Sequence, residues 1–181
     1  MVREEELIAM CKRGKPTAYT ELYHQHATVV YNSIVRLIDH TGEAEDILQD
    51  SFVAAFQGIA GFKSTGGFRA WVKRIAINKS IDLVRKRKLR FVELEVGQLS
   101  EMDVDPVDEE LFEFTIDAID NAIATLPVGY RTIFNLFAIE NIPHAEIAVM
   151  LGLEPTTVRT QYHRAKQKIL NTLKQGGYYE K

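Results

Sequence analysis

The chain has one cysteine, Cys11, in 181 residues, which excludes an internal disulfide and a cysteine-built zinc site. No apolar run approaches the ~20 residues that cross a bilayer. The first residues carry Glu4, Glu5 and Glu6 in place of the apolar stretch of a secretory signal. Together these absences predict a cytoplasmic protein with no membrane insertion. Alternating β-branched runs punctuated by glycine-rich turns are missing, as are a phosphate-cradling glycine loop, a nucleophile elbow and any internal repeat. Two histidines, His24 and His26, suggest a metal pair, but no third or fourth ligand stands at a recognisable spacing. Their i, i+2 offset also sends them to different sides of a helix. They read as a solvated pair, with no metal and no cofactor expected.

What is present is an ordinary globular composition, 46% apolar and 26% charged, with its charge unevenly laid out. The net charge is −3, yet residues 63–92 hold ten Lys/Arg against the single acid Asp82. Residues 93–120 hold eleven Asp/Glu and no base, and residues 154–181 hold six bases and two acids. One such block would be solvated surface; two basic blocks flanking an acidic one suggest separate anionic partners.

Helical periodicity runs throughout. Leu48, Phe52, Ala55, Phe56 and Ile59 form one apolar stripe, Phe68, Trp71, Val72 and Ile75 a second, and Phe112, Ile116, Ile119, Ile123 and Leu126 a third. The pattern predicts helices near 4–13, 16–38, 43–58, 68–88, 109–125, 128–139, 144–151 and 156–174. The fold class is therefore all-α: two small helical domains joined by an acidic linker. Residues 1–92 form the first domain, 93–108 the linker, with Gly97, Ser100 and Pro106, and 109–181 the second. Each domain is near the lower size for a self-sufficient core, which suits docking onto something larger.

In the second domain, residues 143–168 carry a helix-turn-helix pattern. Ala148 is small enough for two helices to approach, and Gly152 can take the left-handed conformation that ends the first helix. Val158 buries the inner face of the second helix, and Pro155 suits its first turn. Thr156, Thr157, Arg159, Thr160, Gln161, His163 and Arg164 are then available outward, with Lys168 beyond. Such side chains suit a major groove, arginine pairing with guanine and glutamine with adenine. A helical hairpin that merely packs is the alternative.

In the first domain, Glu43, Asp46 and Asp50 make an acidic ridge with Gln49 beside it. It is either a solvated face or a docking surface for a basic helix of a partner. Next comes the polar loop 61–67, with Phe62, Lys63, Ser64 and Thr65. A helix follows with Arg69, Lys73, Arg74, Lys79, Arg85 and Lys86. Arg74, Asn78, Asp82 and Arg85 share a face, where Asp82 pairs with Arg85 or bonds Asn78. Cations beside a loop able to enclose a base suit single-stranded or melted DNA. Trp71 is in phase with the core and, second, a stacking platform.

These segments resemble, in order, those of extracytoplasmic-function sigma factors of the sigma-70 family, the specificity subunits of bacterial RNA polymerase. Residues 43–52 (EAEDILQDSF) resemble the polymerase-clamp motif. Residues 68–78 (FRAWVKRIAIN), with Asp82 and Arg85, look like the promoter-melting segment. Residues 126–131 (LPVGYR), Glu146 to Ala148, Thr157 to Thr160 and Arg164 with Ala165 resemble the second DNA-binding domain. The resemblance covers residues 8–175. It implies that Glu43, Asp46, Gln49 and Asp50 bind the polymerase core at its clamp helices, and that the 61–67 loop and the basic helix take the minus-ten element of promoter DNA. It implies that the helix from Thr156 reads the minus-thirty-five element, that an anti-sigma factor regulates the protein, and that nucleotide addition belongs to the core, not to this chain. Where the family often has serine, Pro143, Glu154 with Pro155, and Gly67 stand here, and Gln161 replaces a frequent arginine, so base preference is expected to differ. A conventional helix-turn-helix regulator that ignores core polymerase is the rival reading. The acidic linker is expected to screen the two basic surfaces electrostatically, chiefly through Asp103, Asp105, Asp108, Glu109 and Glu110.

Overall fold

The computed structural model describes residues 3–63, 66–87 and 115–175. They fall into two compact units divided after Arg87. The acidic linker, Ser64, Thr65, Phe112 and the first turns of the helix expected from 109 lie outside the described residues.

The first unit comprises α1 (Glu4–Lys12), α2 (Pro16–Val35), α3 (Thr41–Gly58), a 3-10 turn (Ile59–Gly61) and α4 (Gly67–Lys86). Glutamates 4 to 6 occupy the positive end of α1 and Lys12 its negative end, as the helix dipole favours. Gly14, at φ +72°, lets the chain turn sharply before Pro16 starts α2 at a position that needs no amide hydrogen. Helices α2, α3 and α4 pack mutually, with α1 laid against α2. Leu22, Val30, Ile34, Phe52, Phe68 and Val72 are at most 2% exposed. Two buried serines return their hydroxyls to their own helices, Ser51 to the Ile47 carbonyl at 2.6 Å and Ser80 to that of Ala76 at 2.9 Å. Each hydroxyl is thereby paired where the helices touch.

The second unit comprises α5 (Ile116–Ala124), α6 (Val128–Phe134), a π turn (Asn135–Ile139), α7 (His144–Leu151) and α8 (Pro155–Gln175). Helix α8 packs against α5, α6 and α7. Thr115 caps α5, its Oγ1 accepting from the Ala118 amide at 3.3 Å. The apolar stripe expected on α5 is rotated: Ile116 is 77% exposed, while Ala118 and Ala122 are buried with Ala165, Ile169 and Leu173 of α8. Alanine faces alanine here because only small side chains let two helix backbones approach; Ile119 and Ile123 flank the seam. The helix expected over 128–139 widens in its last turn, where the Glu140 amide reaches the Asn135 carbonyl at 3.0 Å. That π turn carries Asn135 and Leu136 into the interior. Asn141 then turns the chain at φ 56°, a conformation asparagine tolerates better than most residues.

Candidate nucleic-acid and polymerase interfaces

The helix-turn-helix is built as its residues predict. Gly152 adopts φ 68°, ψ 37°. Its amide reaches the Val149 carbonyl at 3.4 Å and the Leu153 amide that of Ala148 at 2.9 Å, the paired bonds of a glycine-terminated helix. Ala148 and Val158 are 2% and 0% exposed, and Pro155 opens α8. Pro143 caps α7 with no side-chain bond, as the missing serine hydroxyl dictates.

The roll of α8 is set by Val158 and by Tyr162, which packs on Phe134 (5.9 Å), Phe137 (4.7 Å) and His144 (5.4 Å between ring centres). With that face inward, Thr156, Arg159 and Thr160 are exposed, while Thr157, Gln161, His163 and Arg164 are half-exposed. Arg159 and His163 lie close enough to His144 that, after burial, they depress its pKa. A half-buried imidazole, its proton affinity lowered, therefore sits behind the cationic face. Lys168 differs from the rest: its ammonium lies 5.7 Å from the Tyr130 ring centre, a cation–π placement that packs α8 on α6.

In the first unit, Arg69, Asn78 and Arg85 are exposed along α4, and Lys73 and Arg74 are half-buried. Asp82 stands 4.0 Å from Arg85, one of the two partners open to it. At the start of α4 lies an open hollow of about 590 Å³ lined by Gly58, Gly61, Phe62, Lys63, Trp71 and Arg74. Trp71 is half-buried, 4.8 Å from Phe62 and 5.9 Å from Phe68 between ring centres, so it serves the core and lines the hollow at once. Phe62 itself is only 8% exposed. Its ring belongs to the floor, wedged against Trp71, and is not a free platform. A base entering the hollow would meet Trp71, Lys63 and Arg74.

The acidic ridge is not uniform. Glu43 is engaged by the guanidinium of Arg87, and Asp50 stands 4.0 Å from Lys79. Asp46 and Gln49 are exposed. Gln49 also borders an apolar hollow of about 370 Å³ between α2 and α3, with Tyr19, Tyr23, Phe52, Val53 and Phe56. Val53 is 54% exposed. Sequence reasoning missed this patch because Val53 falls outside the buried stripe of its own helix. An unexplained apolar residue beside an acidic ridge was the available signal.

The histidines do not form a solvated pair. His24 is exposed, but His26 is 8% exposed, its ring 5.6 Å from Phe68 and its Nε2 3.0 Å from Oε2 of Glu4. The i, i+2 offset that separates them puts one in water and the other in the core. Burial lowers the pKa of His26, Glu4 opposes that shift and Arg69 reinforces it. Among the described residues no group of three or more potential metal ligands occurs, and no described helix is long and apolar enough to cross a membrane.

Residues 22–90 match the Sigma-70 region 2 family and residues 116–169 the Sigma-70 region 4 family. The chain is 29% identical over 177 residues to the ECF RNA polymerase sigma factor SigW of Bacillus subtilis, covering 92% of this chain and 95% of SigW. It is 31% identical over 159 residues to SigE of Mycolicibacterium smegmatis, covering 86% of this chain but 62% of that longer protein. The solved structure of CnrH in complex with the cytosolic domain of CnrY superposes with a TM-score of 0.53 at 26% identity, over 93% of this chain and 96% of CnrH. CnrH is an RNA polymerase sigma factor of Cupriavidus metallidurans. With both domain families matched in order, and relatives aligned along nearly its whole length, the chain belongs to the sigma-70 family as an extracytoplasmic-function sigma factor.

Proposed function

We propose that the chain binds the RNA polymerase core through the first unit and directs promoter-specific initiation by engaging DNA with both units, without making a covalent bond itself. Asp46 and Gln49, with Asp50 and the apolar patch at Val53, form the surface for the core's clamp helices. Acidic and apolar groups side by side suit a basic, amphipathic helix. Glu43 supports that surface from within, tied to Arg87. The hollow at Trp71, Lys63 and Arg74 takes a flipped base of the minus-ten element, with Ser64 and Thr65 assigned to the same loop. Arg69, Lys73, Asn78 and Arg85 follow the backbone.

Thr156, Thr157, Arg159, Thr160, Gln161, His163 and Arg164 face the minus-thirty-five element. Lys168 stands at the rim, where it neutralises phosphate. The domain assignment follows: residues 1–92 for core and minus-ten contacts, 93–108 as linker, 109–181 for the minus-thirty-five element. An anti-sigma factor that covers these surfaces is the regulator we propose, in line with the complex in which CnrH was solved.

The observation that carries this reading is an aromatic-floored hollow beside a cationic helix, in the same chain as a separately folded helix-turn-helix. A conventional regulator accounts for the second alone. Run-off transcription with purified core polymerase on genomic fragments tests it. Discrete start sites that require the chain support the reading; a chain that binds DNA but forms no stoichiometric complex with core refutes it.

A further inference from the structure

Helix α1 bonds the chain at two points beside the hollow, at Phe62 in its lining and at Phe68 on the first turn of α4. Near its C-terminus, Nζ of Lys12 donates to the Phe62 carbonyl at 3.0 Å. At its N-terminus, Oε1 of Glu4 accepts from the Phe68 amide at 3.1 Å. The two residues stand about 12 Å apart along the helix, so one rigid element grips the chain on either side of residues 63–67.

The Glu4 bond meets a specific need. Helix α4 begins with Gly66 at φ 97° and Gly67 at φ 82°. Neither has a side chain, and α4 has no side-chain cap at its N-cap position. Its first amides require an acceptor from elsewhere, and a carboxylate at the positive end of the helix dipole supplies one with favourable charge. The second oxygen of that carboxylate lies 3.0 Å from Nε2 of His26, whose ring is packed on Phe68. Glu4 is thus located by α2 while it caps α4.

What these bonds locate is the aromatic floor. Phe62 and Phe68 are 6.0 Å apart between ring centres, and both pack on Trp71. We propose that Glu4 and Lys12 are positioning residues for promoter opening: α1 is a brace that sets Phe62, Phe68 and, through them, Trp71 before DNA arrives. A preformed floor spares the ordering that base capture would otherwise require. The inference rests on the reading of the hollow as the minus-ten base site.

The test uses the full chain with Glu4→Ala and Lys12→Met together, assembled with core polymerase. The probe is a promoter fragment recovered by run-off transcription, with 2-aminopurine along the minus-ten non-template strand. Core affinity stays within about twofold, while the opening signal falls about tenfold, the scale of a lost charged cap. In the free protein the emission of Trp71, the single tryptophan, shifts to longer wavelength. Glu4→Gln, which keeps an acceptor oxygen for the Phe68 amide, stays near the parent protein in all three readouts.

Unchanged opening in the double variant, with or without a Trp71 shift, overturns the brace. So does a loss of core affinity in step with opening. If the parent holoenzyme itself gives no 2-aminopurine signal, the base-site reading fails and the brace with it. A parent signal that the variant matches removes the brace alone. Should the double variant not fold, Lys12→Met is measured in the same way, since it leaves the Glu4 cap in place.

Discussion

Glu43, the first member of the acidic ridge on α3, is engaged by Arg87 at the end of α4. That contact divides the ridge into a part that holds the first unit together and a part that faces outward. Charge reversal at Asp46 with Gln49→Ala is expected to lower core affinity by at least tenfold with an unchanged unfolding midpoint. Glu43→Gln is expected to cost no more than about 1 kcal/mol, the scale of a half-exposed ion pair, and to leave core affinity within about threefold. Surface plasmon resonance on immobilised core, paired with urea unfolding, separates the two. Equal losses of affinity from both variants would return Glu43 to the docking face.

His26 makes the first unit sensitive to mild acid. Its folded pKa lies below the ordinary 6.5 because burial, with Arg69 adding to it, disfavours the imidazolium more than Glu4 favours it. Between that lowered value and 6.5 the unfolded chain binds a proton that the folded chain does not. Stability present above pH 6.5 is therefore lost as pH falls. His144 in the second unit has the same sign, from burial and from Arg159 and His163. In urea titrations from pH 7.5 to 5, His26→Gln should flatten the fall in stability of the first unit and leave that of the second unchanged. A slope that persists in the variant would assign it to other groups.

Gly152 holds φ 68° with nothing within 4 Å of a would-be Cβ, so strain alone sets the effect of Gly152→Ala. About 1–2 kcal/mol should be lost on unfolding of the second unit, with a smaller loss for Gly152→Asn. Alanine without penalty would mean that the left-handed turn is not populated in solution.

Arg159 and Lys168 lie on one helix but should behave differently. Arg159→Ala is expected to cost about 1–3 kcal/mol of discrimination between the cognate minus-thirty-five sequence and a scrambled one. Lys168→Ala, which removes a cation seated on Tyr130, should weaken binding to both sequences alike and lower the unfolding midpoint. Competition binding at fixed salt reads both. A loss of discrimination on removing Lys168 would place it among the base-reading residues.

Much of this was legible in the chain itself. Apolar spacing located the described helices to within a few residues, except that α5, expected from 109, starts at Ile116 after an extended Thr115; Ala148, Gly152, Pro155 and Val158 marked the helix-turn-helix. These are local signals: 3.6-residue periodicity, a left-handed glycine and a proline at a first turn depend on neighbours in sequence. Periodicity erred on α5, where Ile116 is exposed and Ala118 and Ala122 face α8. A stripe of large apolar residues marks a helix's preferred inner side only when the partner leaves room for it.

The chemistry of the linear chain by itself determined that there are two helical units, that one presents cations from a recognition helix, and that the other sets an acidic ridge before a basic helix. Tertiary structure alone decided that Phe62 faces inward, that His26 is buried against Glu4, that Glu43 is occupied by Arg87, and that α1 bonds both Phe62 and Phe68. The reason is physical. A residue's burial, its protonation and its free valences are set by whichever side chain the fold brings beside it, and Glu4 meets Phe68 across a separation of 64 residues over which no local pattern carries information.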